Sequence, residues 1–294
     1  MTTPHHPDDQ QNILRAALWM GGAILAFTSM AIAGRAVSYA LDTFEIMMWR
    51  SALGVAVMAA IVLATRRFAD ISFRDRPLHA IRNLAHFTGQ NLWFYAITLI
   101  PLAQVFALEF TSPLWILLLA PIVLGERPGW ARVAIAFCGF GGVVLVARPW
   151  VGGIEPGIVW AGLAAVGFAL TGLFTRRLTR TESTLSILVW LTVMQLVLGI
   201  GFAGWDGDIA LPSVQTAPWL VLIGLAGLCA HWCLTNALAL APASTIMPVD
   251  FARLPLIAVV GAVIYGEAIE PLTLLGGGIV FAAAWANIRL ASVK

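Results

Sequence analysis

The sequence predicts an all-α membrane protein of ten transmembrane helices, arranged as two inverted five-helix repeats. Three observations carry this: composition, a self-match and the distribution of basic residues. Of 294 residues, 60% are hydrophobic and 11% charged, and the mean hydropathy is +0.88, far more apolar than a soluble domain. The chain also matches itself, ungapped, at a constant offset of 141 residues. At that offset Trp19 falls on Trp160, Gly21 on Gly162, Phe27 on Phe168, Arg35 on Arg176 and Trp49 on Trp190. Pro101 falls on Pro242, Phe110 on Phe251, Gly125 on Gly266 and Glu126 on Glu267. Rare residues repeating in one frame indicate duplication.

A spanning helix needs roughly 20 mostly apolar residues. Ten segments answer to that, five per half: 16–34, 43–65, 80–99, 101–124, 129–147, 157–175, 184–204, 217–240, 243–265 and 271–289. Their runs are apolar all round, whereas membrane strands alternate. Ahead of the first, residues 1–11 lack the basic stretch and small-residue cleavage pattern of a signal peptide, so span one is expected to be retained. Spans three and four meet at Ile100-Pro101, and eight and nine at Ala241-Pro242, so each copy is expected to turn back there in a tight hairpin. Spans five and six are joined by a Pro- and Gly-rich linker from Arg148 to Gly157. The expected division is residues 1–148 for the first copy and 149–294 for the second.

Basic residues set the orientation. Alternating the loops puts 13 of the 17 Lys and Arg on the side of both termini and only Arg35 and Arg148 opposite, with Arg50 and Arg253 inside spans. By the positive-inside rule both termini are expected in the cytoplasm of a bacterial inner-membrane protein. Five spans per copy is an odd number, so the second copy enters the membrane reversed. Inverted repeats are common in secondary transporters, whose substrate site lies near the midplane between the copies.

Family motifs point the same way. Pro113-Leu114-Trp115 and Pro255-Leu256-Ile257 lie in spans four and nine. Each span ends in Gly-Glu, at Gly125-Glu126 and Gly266-Glu267, and a Gly-rich span follows at Phe137–Leu145 and Leu274–Val280. Over residues 16–290 this unit resembles the EamA unit of the drug/metabolite transporter superfamily. In its ten-span form it is similar to bacterial exporters of amino acids, the aromatic ones among them. The resemblance implies export of an amino acid or similar amphipathic metabolite by alternating access. Drugs, purines or other metabolites of the superfamily are alternatives, and a channel-like pore is the alternative of another class.

Polar groups inside spans are costly unless paired or facing a cavity, so they are the candidate site. Gln90 on span three and His231 on span eight are repeat mates. Asn91 and Tyr95 on span three, and Trp232, Thr235 and Asn236 on span eight, add polar groups, with His231 and Thr235 one turn apart. Thr111 on span four is a further candidate, beside Gln104, Ser112 and Trp115. For all of these, hydrogen bonding between helices is the competing role. Glu109 and Asp250 are also repeat mates, each roughly 12 Å into its helix at 1.5 Å per residue. Similar depth predicts the pair Arg50 with Glu109, and a spacing of three on one helix face predicts Arg253 with Asp250, serving as structural ion pairs or as a coupling site. Glu126 and Glu267, at helix ends, are expected to act in topology or gating.

Other classes lack their chemistry. The sequence has neither His-Glu-x-x-His nor Gly-x-Ser-x-Gly, and no phosphate-binding loop of the Walker type. Its sole lysine is Lys294, so no Schiff base forms within a span. Cys138, Cys229 and Cys233 lie in spans without clustered metal ligands. No enzyme activity, cofactor or metal is expected. The expected partners are a small-molecule substrate and membrane lipid, with no nucleic acid and no ATPase subunit. A monomer is compatible with the sequence.

Overall fold

Short polar signals set the helix ends. Asp42 caps α2 (Thr43–Thr65) in a capping box: its Oδ1 accepts from the Glu45 N–H at 2.8 Å, and Glu45 Oε2 accepts from the Asp42 N–H at 2.9 Å. Ser183 caps α8 (Thr184–Ala203) by accepting from the Ser186 N–H at 3.0 Å. Ile100, extended as the residue before a proline should be, ends α3 (Arg76–Leu99), and Pro101 opens α4 (Leu102–Glu109). The first hairpin is therefore as tight as the sequence predicts. The computed structural model describes residues 7–123, 129–148, 154–205, 207–240, 249–250 and 252–292. Its remaining helices are α1 (Pro7–Val37), α5 (Ser112–Val123), α6 (Trp130–Ala147), α7 (Pro156–Leu178), α9 (Ala217–Leu240), α10 (Arg253–Tyr265) and α11 (Pro271–Ser292). The linker at 149–153, the second hairpin at Ala241-Pro242, and Glu126 lie outside the described residues.

Each of the ten predicted segments carries helix. Among the described residues, five helices are long and apolar enough to cross a membrane: Leu14–Val37, Thr43–Thr65, Pro156–Thr175, Thr184–Ala203 and Ala217–Leu234. The others are shorter, broken or, in α3, studded with polar groups. Span four breaks between Glu109 and Ser112. The cause is Pro113, which has no N–H for the Glu109 carbonyl; the Ser112 hydroxyl donates to that carbonyl instead, at 2.6 Å. Span nine is interrupted at the equivalent place, where Ala252 separates helical residues 249–250 from α10. Pro255 follows that break as Pro113 follows the first.

Packing follows the repeat. The dominant partners are α1 with α9, α3 with α7, α2 with α8 and α6 with α11. Exchanging the copies turns α1 into α7 and α9 into α3, so the first two pairs exchange with each other, while α2–α8 and α6–α11 map onto themselves. That is the pattern of a two-fold axis relating the copies. The copies are interlocked, and their interface is the core. Small residues permit the closest approach: a Cβ on Gly142 of α6 would lie 2.6 Å from the Gly276 carbonyl of α11, and one on Gly276 equally close to the Gly142 carbonyl. The polarity is inverted relative to a soluble protein. Leu14, Leu18, Leu63, Phe137, Val197 and Val263 face outward, while Arg50, His86, Gln90, Asn91 and Arg253 are buried. Such a surface suits lipid and leaves the polar interior as the place for function.

Candidate functional site

The centre is built around Arg50. Its guanidinium on α2 donates to the Gln90 side-chain oxygen on α3 and touches the Met30 and Met47 sulfurs at 3.9 and 3.8 Å. It is 8% exposed, and among the described residues no carboxylate lies within ion-pair distance of it. Space for it comes from Gly227 on α9, where a Cβ would approach Arg50 Nη2 to 3.2 Å. One turn before Gln90 on α3, a cluster of rings begins at His86. His86 on α3 and His231 on α9 meet edge to face at 5.5 Å between centroids, and His231 meets Phe27 of α1 the same way at 5.9 Å. Phe168, the repeat mate of Phe27, lies 6.4 Å from His86. Both His86 nitrogens are buried without a hydrogen-bond partner.

A second polar group sits at the two helix breaks. Arg253 Nη2, at the start of α10, donates to Glu109 Oε1 at 3.0 Å and to Asp250 Oδ2 at 2.8 Å. Trp93 Nε1 donates to the other Glu109 oxygen at 2.8 Å. The guanidinium also lies 4.8 Å over the Phe27 ring, 5.1 Å over Phe106 and 5.2 Å over Phe110. The pair expected from depth is therefore corrected, while the pair expected from helix spacing is present. Arg253 does pair with Asp250, but Glu109 pairs with Arg253 and not with Arg50. Depth along the membrane normal does not specify where around the bundle a side chain points.

The structure brings some predicted residues together and leaves others apart. Gln90 and His231 enter the centre. Asn91 is buried but donates back to the Phe87 carbonyl of its own helix at 2.8 Å, leaving its side-chain oxygen unpartnered. Thr111 is buried and donates to the Leu108 carbonyl at 2.6 Å. Tyr95 and Trp232 are exposed on the outside of their helices, and Asn236 donates to the Trp232 carbonyl at 2.8 Å. The Thr235 side chain lies outside the described residues. Sequence reasoning passed over His86, whose repeat mate is Gly227, so the offset does not mark it. Its signal is that it precedes Gln90 by four residues, on one helix face.

At the face bearing Arg35 and Arg148, the copies are fastened by a network. Arg35, in the last turn of α1, pairs with Glu267 and donates to the Ile97 and Ile100 carbonyls at 2.6 and 2.7 Å. Glu267 also accepts from the Leu102 N–H at 2.9 Å. Gly266 makes this possible: at φ 65 it turns left-handed after α10, so Glu267 folds back and its N–H reaches the Gly261 carbonyl at 3.1 Å. The Gly-Glu motif thus has a physical reason.

The EamA-like transporter family matches this chain twice, over residues 14–148 and 155–289. The chain belongs to that family. Its two matches fall on the two halves of the self-repeat. A riboflavin transporter of Rhizobium johnstonii is 31% identical over 91% of this chain and 89% of its own length. A riboflavin transporter of Vibrio cholerae is 27% identical over 95% and 93%. An S-adenosylmethionine uptake transporter of Rickettsia bellii is 24% identical over 90% of each. One solved crystal structure superposes with a TM-score of 0.64 at 23% identity, over 94% of this chain and 96% of that one, which establishes likeness of fold. This EamA-like chain is a multi-pass small-molecule transporter and not an enzyme.

The Arg35–Glu267 network ties the copies together at this face, and a test of whether it resists opening there follows from its bonds. Replacing Arg35 by Ala releases two carbonyls and a carboxylate from one tether. In a chain whose three cysteines are changed to serine, a maleimide is expected to label Cys introduced at the buried position Ala33 faster once Arg35→Ala is added. An unchanged labelling rate would mean the network does not hold that face shut.

Proposed function

We propose that this chain is a secondary transporter of the bacterial inner membrane that takes up a planar heterocyclic metabolite, riboflavin first among candidates, by alternating access through the centre at Arg50 and Gln90. The observation that carries the reading is the buried Arg50–Gln90 couple, with His86 one turn before Gln90 on α3 opening a cluster of rings that continues through His231, Phe27 and Phe168. Arg offers donors to ring carbonyls, Gln offers both a donor and an acceptor to an imide edge, and the surrounding rings suit stacking on a flat substrate. The relatives named as riboflavin transporters support the same class. The centre is buried, so a substrate reaches it only when helices part, which is the motion inverted repeats provide.

Amino acid export, the expectation from family resemblance, fits this centre less well. A zwitterion needs a carboxylate for its ammonium beside the cation for its carboxylate. Among the described residues Arg50 has no such neighbour, and both interior acids are tied to Arg253. S-Adenosylmethionine is the second reading, supported by the relatives named for its uptake.

The test is uptake of radiolabelled riboflavin by a riboflavin-auxotrophic bacterium expressing the chain, with unlabelled riboflavin, S-adenosylmethionine or tryptophan as competitor. Saturable uptake blocked by riboflavin alone is expected. Absence of riboflavin uptake, with S-adenosylmethionine or tryptophan carried instead, would overturn the flavin reading.

A further inference from the structure

We infer that Glu109 and Asp250 together bind one proton in each transport cycle, making the triad with Arg253 the coupling site. The inference rests on the chain being a carrier and not on which substrate it carries.

Two carboxylates share one guanidinium nitrogen, so with both acids ionised the triad holds one excess negative charge inside the membrane. A buried uncompensated charge is costly, and one bound proton removes it. The structure also has an open place for that proton. Both Glu109 oxygens and Asp250 Oδ2 already accept a hydrogen bond, from Arg253, Trp93 and Arg253 respectively. Asp250 Oδ1 is buried and accepts none. A proton there displaces no existing donor.

A metal cation fits poorly, because Arg253 Nη2 already occupies the gap between the carboxylates and repels a second positive charge. Among the described residues, the side chains that meet the triad are not themselves titratable. Trp93 faces the triad from α3, Phe27 from α1, and Phe106 and Phe110 from α4 and the turn after it. Of the other helices packed on α4, residues 157–175 of α7 and 271–288 of α11 contain no titratable side chain, and the membrane part of α6 offers only exposed Cys138. From α9, His231 meets the same Phe27 ring.

Position links the proton to motion. Glu109 belongs to copy one and Asp250 with Arg253 to copy two, each beside its helix break. A movement of α4 against α10 during transport separates Glu109 from Arg253, which changes how strongly the acids hold a proton.

The experiment uses the full chain in proteoliposomes and has two readouts. Infrared spectra recorded across pH without substrate are expected to show a protonated carboxylic acid C=O band that is lost in both Asp250→Asn and Glu109→Gln. An inward acid gradient is expected to raise riboflavin accumulation by the wild type, and the ratio of uptake with and without that gradient is expected to fall to unity in each variant. An acid band that survives both substitutions, or gradient-driven accumulation that persists in a folded variant, overturns the inference. If the wild type carries no riboflavin, the flavin reading fails by itself and the infrared titration decides the proton site.

Discussion

Replacing Arg50 by Ala is expected to abolish transport while leaving the protein as stable as before or more so. Removing a charged, hydrogen-bonded contact from a buried site costs about 2–5 kcal/mol of binding, or ~30-fold to ~4,000-fold in affinity. The stability half follows from what Arg50 lacks. It is buried with no carboxylate partner among the described residues. Its removal takes one donor from Gln90, worth about 1–3 kcal/mol, but lifts a desolvation penalty of several kcal/mol carried by a buried ion. The second is larger. A group that costs stability where it stands is placed there for another purpose, and binding is the purpose its setting supports. Flux in proteoliposomes and thermal unfolding in detergent check the two halves. Arg50→Lys, a point charge without the planar fork, is expected to recover only part of the flux.

Arg253→Ala is expected to do the reverse to stability. Arg253 pairs with two carboxylates and lies over three rings, so its loss leaves Glu109 and Asp250 without their shared cation in the membrane interior. Breaking a buried pair in this way costs about 3–5 kcal/mol. Thermal unfolding should fall sharply, and adding Glu109→Gln and Asp250→Asn to Arg253→Ala should restore most of the loss. A stable Arg253→Ala single variant would show that the triad does not hold the helix breaks together. Two arginines at the same kind of depth thus have opposite expected phenotypes, one functional and one structural.

Much of this arrangement was legible in the sequence. The constant offset and the odd number of spans imply inversion, and the exchange of helix pairs between copies agrees with it. The same offset picked out Gln90 with His231 and Glu109 with Asp250. Arg253 lies three residues after Asp250, so their pairing was readable from helix geometry. What failed was inference across helices. Arg50 was matched to Glu109 by depth, yet Gln90 is the side chain that meets it, because azimuth depends on how α2 and α3 pack. Tyr95 and Trp232 were chosen as neighbours in sequence, but helical phase turns them outward. Duplication highlights matched positions and so does not mark His86 as a site residue, since the second copy has Gly227 there, leaving room for Arg50. Pro113 is readable as part of a family motif, while its effect, a break beside Glu109, needs the backbone.

The central claim is that one site between the copies opens to each side in turn. Exchange across a reconstituted membrane tests it most directly. Proteoliposomes loaded with unlabelled riboflavin and diluted into labelled riboflavin are predicted to show saturable uptake that is faster than into empty vesicles, and Arg50→Ala should remove it. Labelled riboflavin entering in linear proportion to its concentration, with no acceleration by internal substrate, would contradict alternating access and indicate a pore.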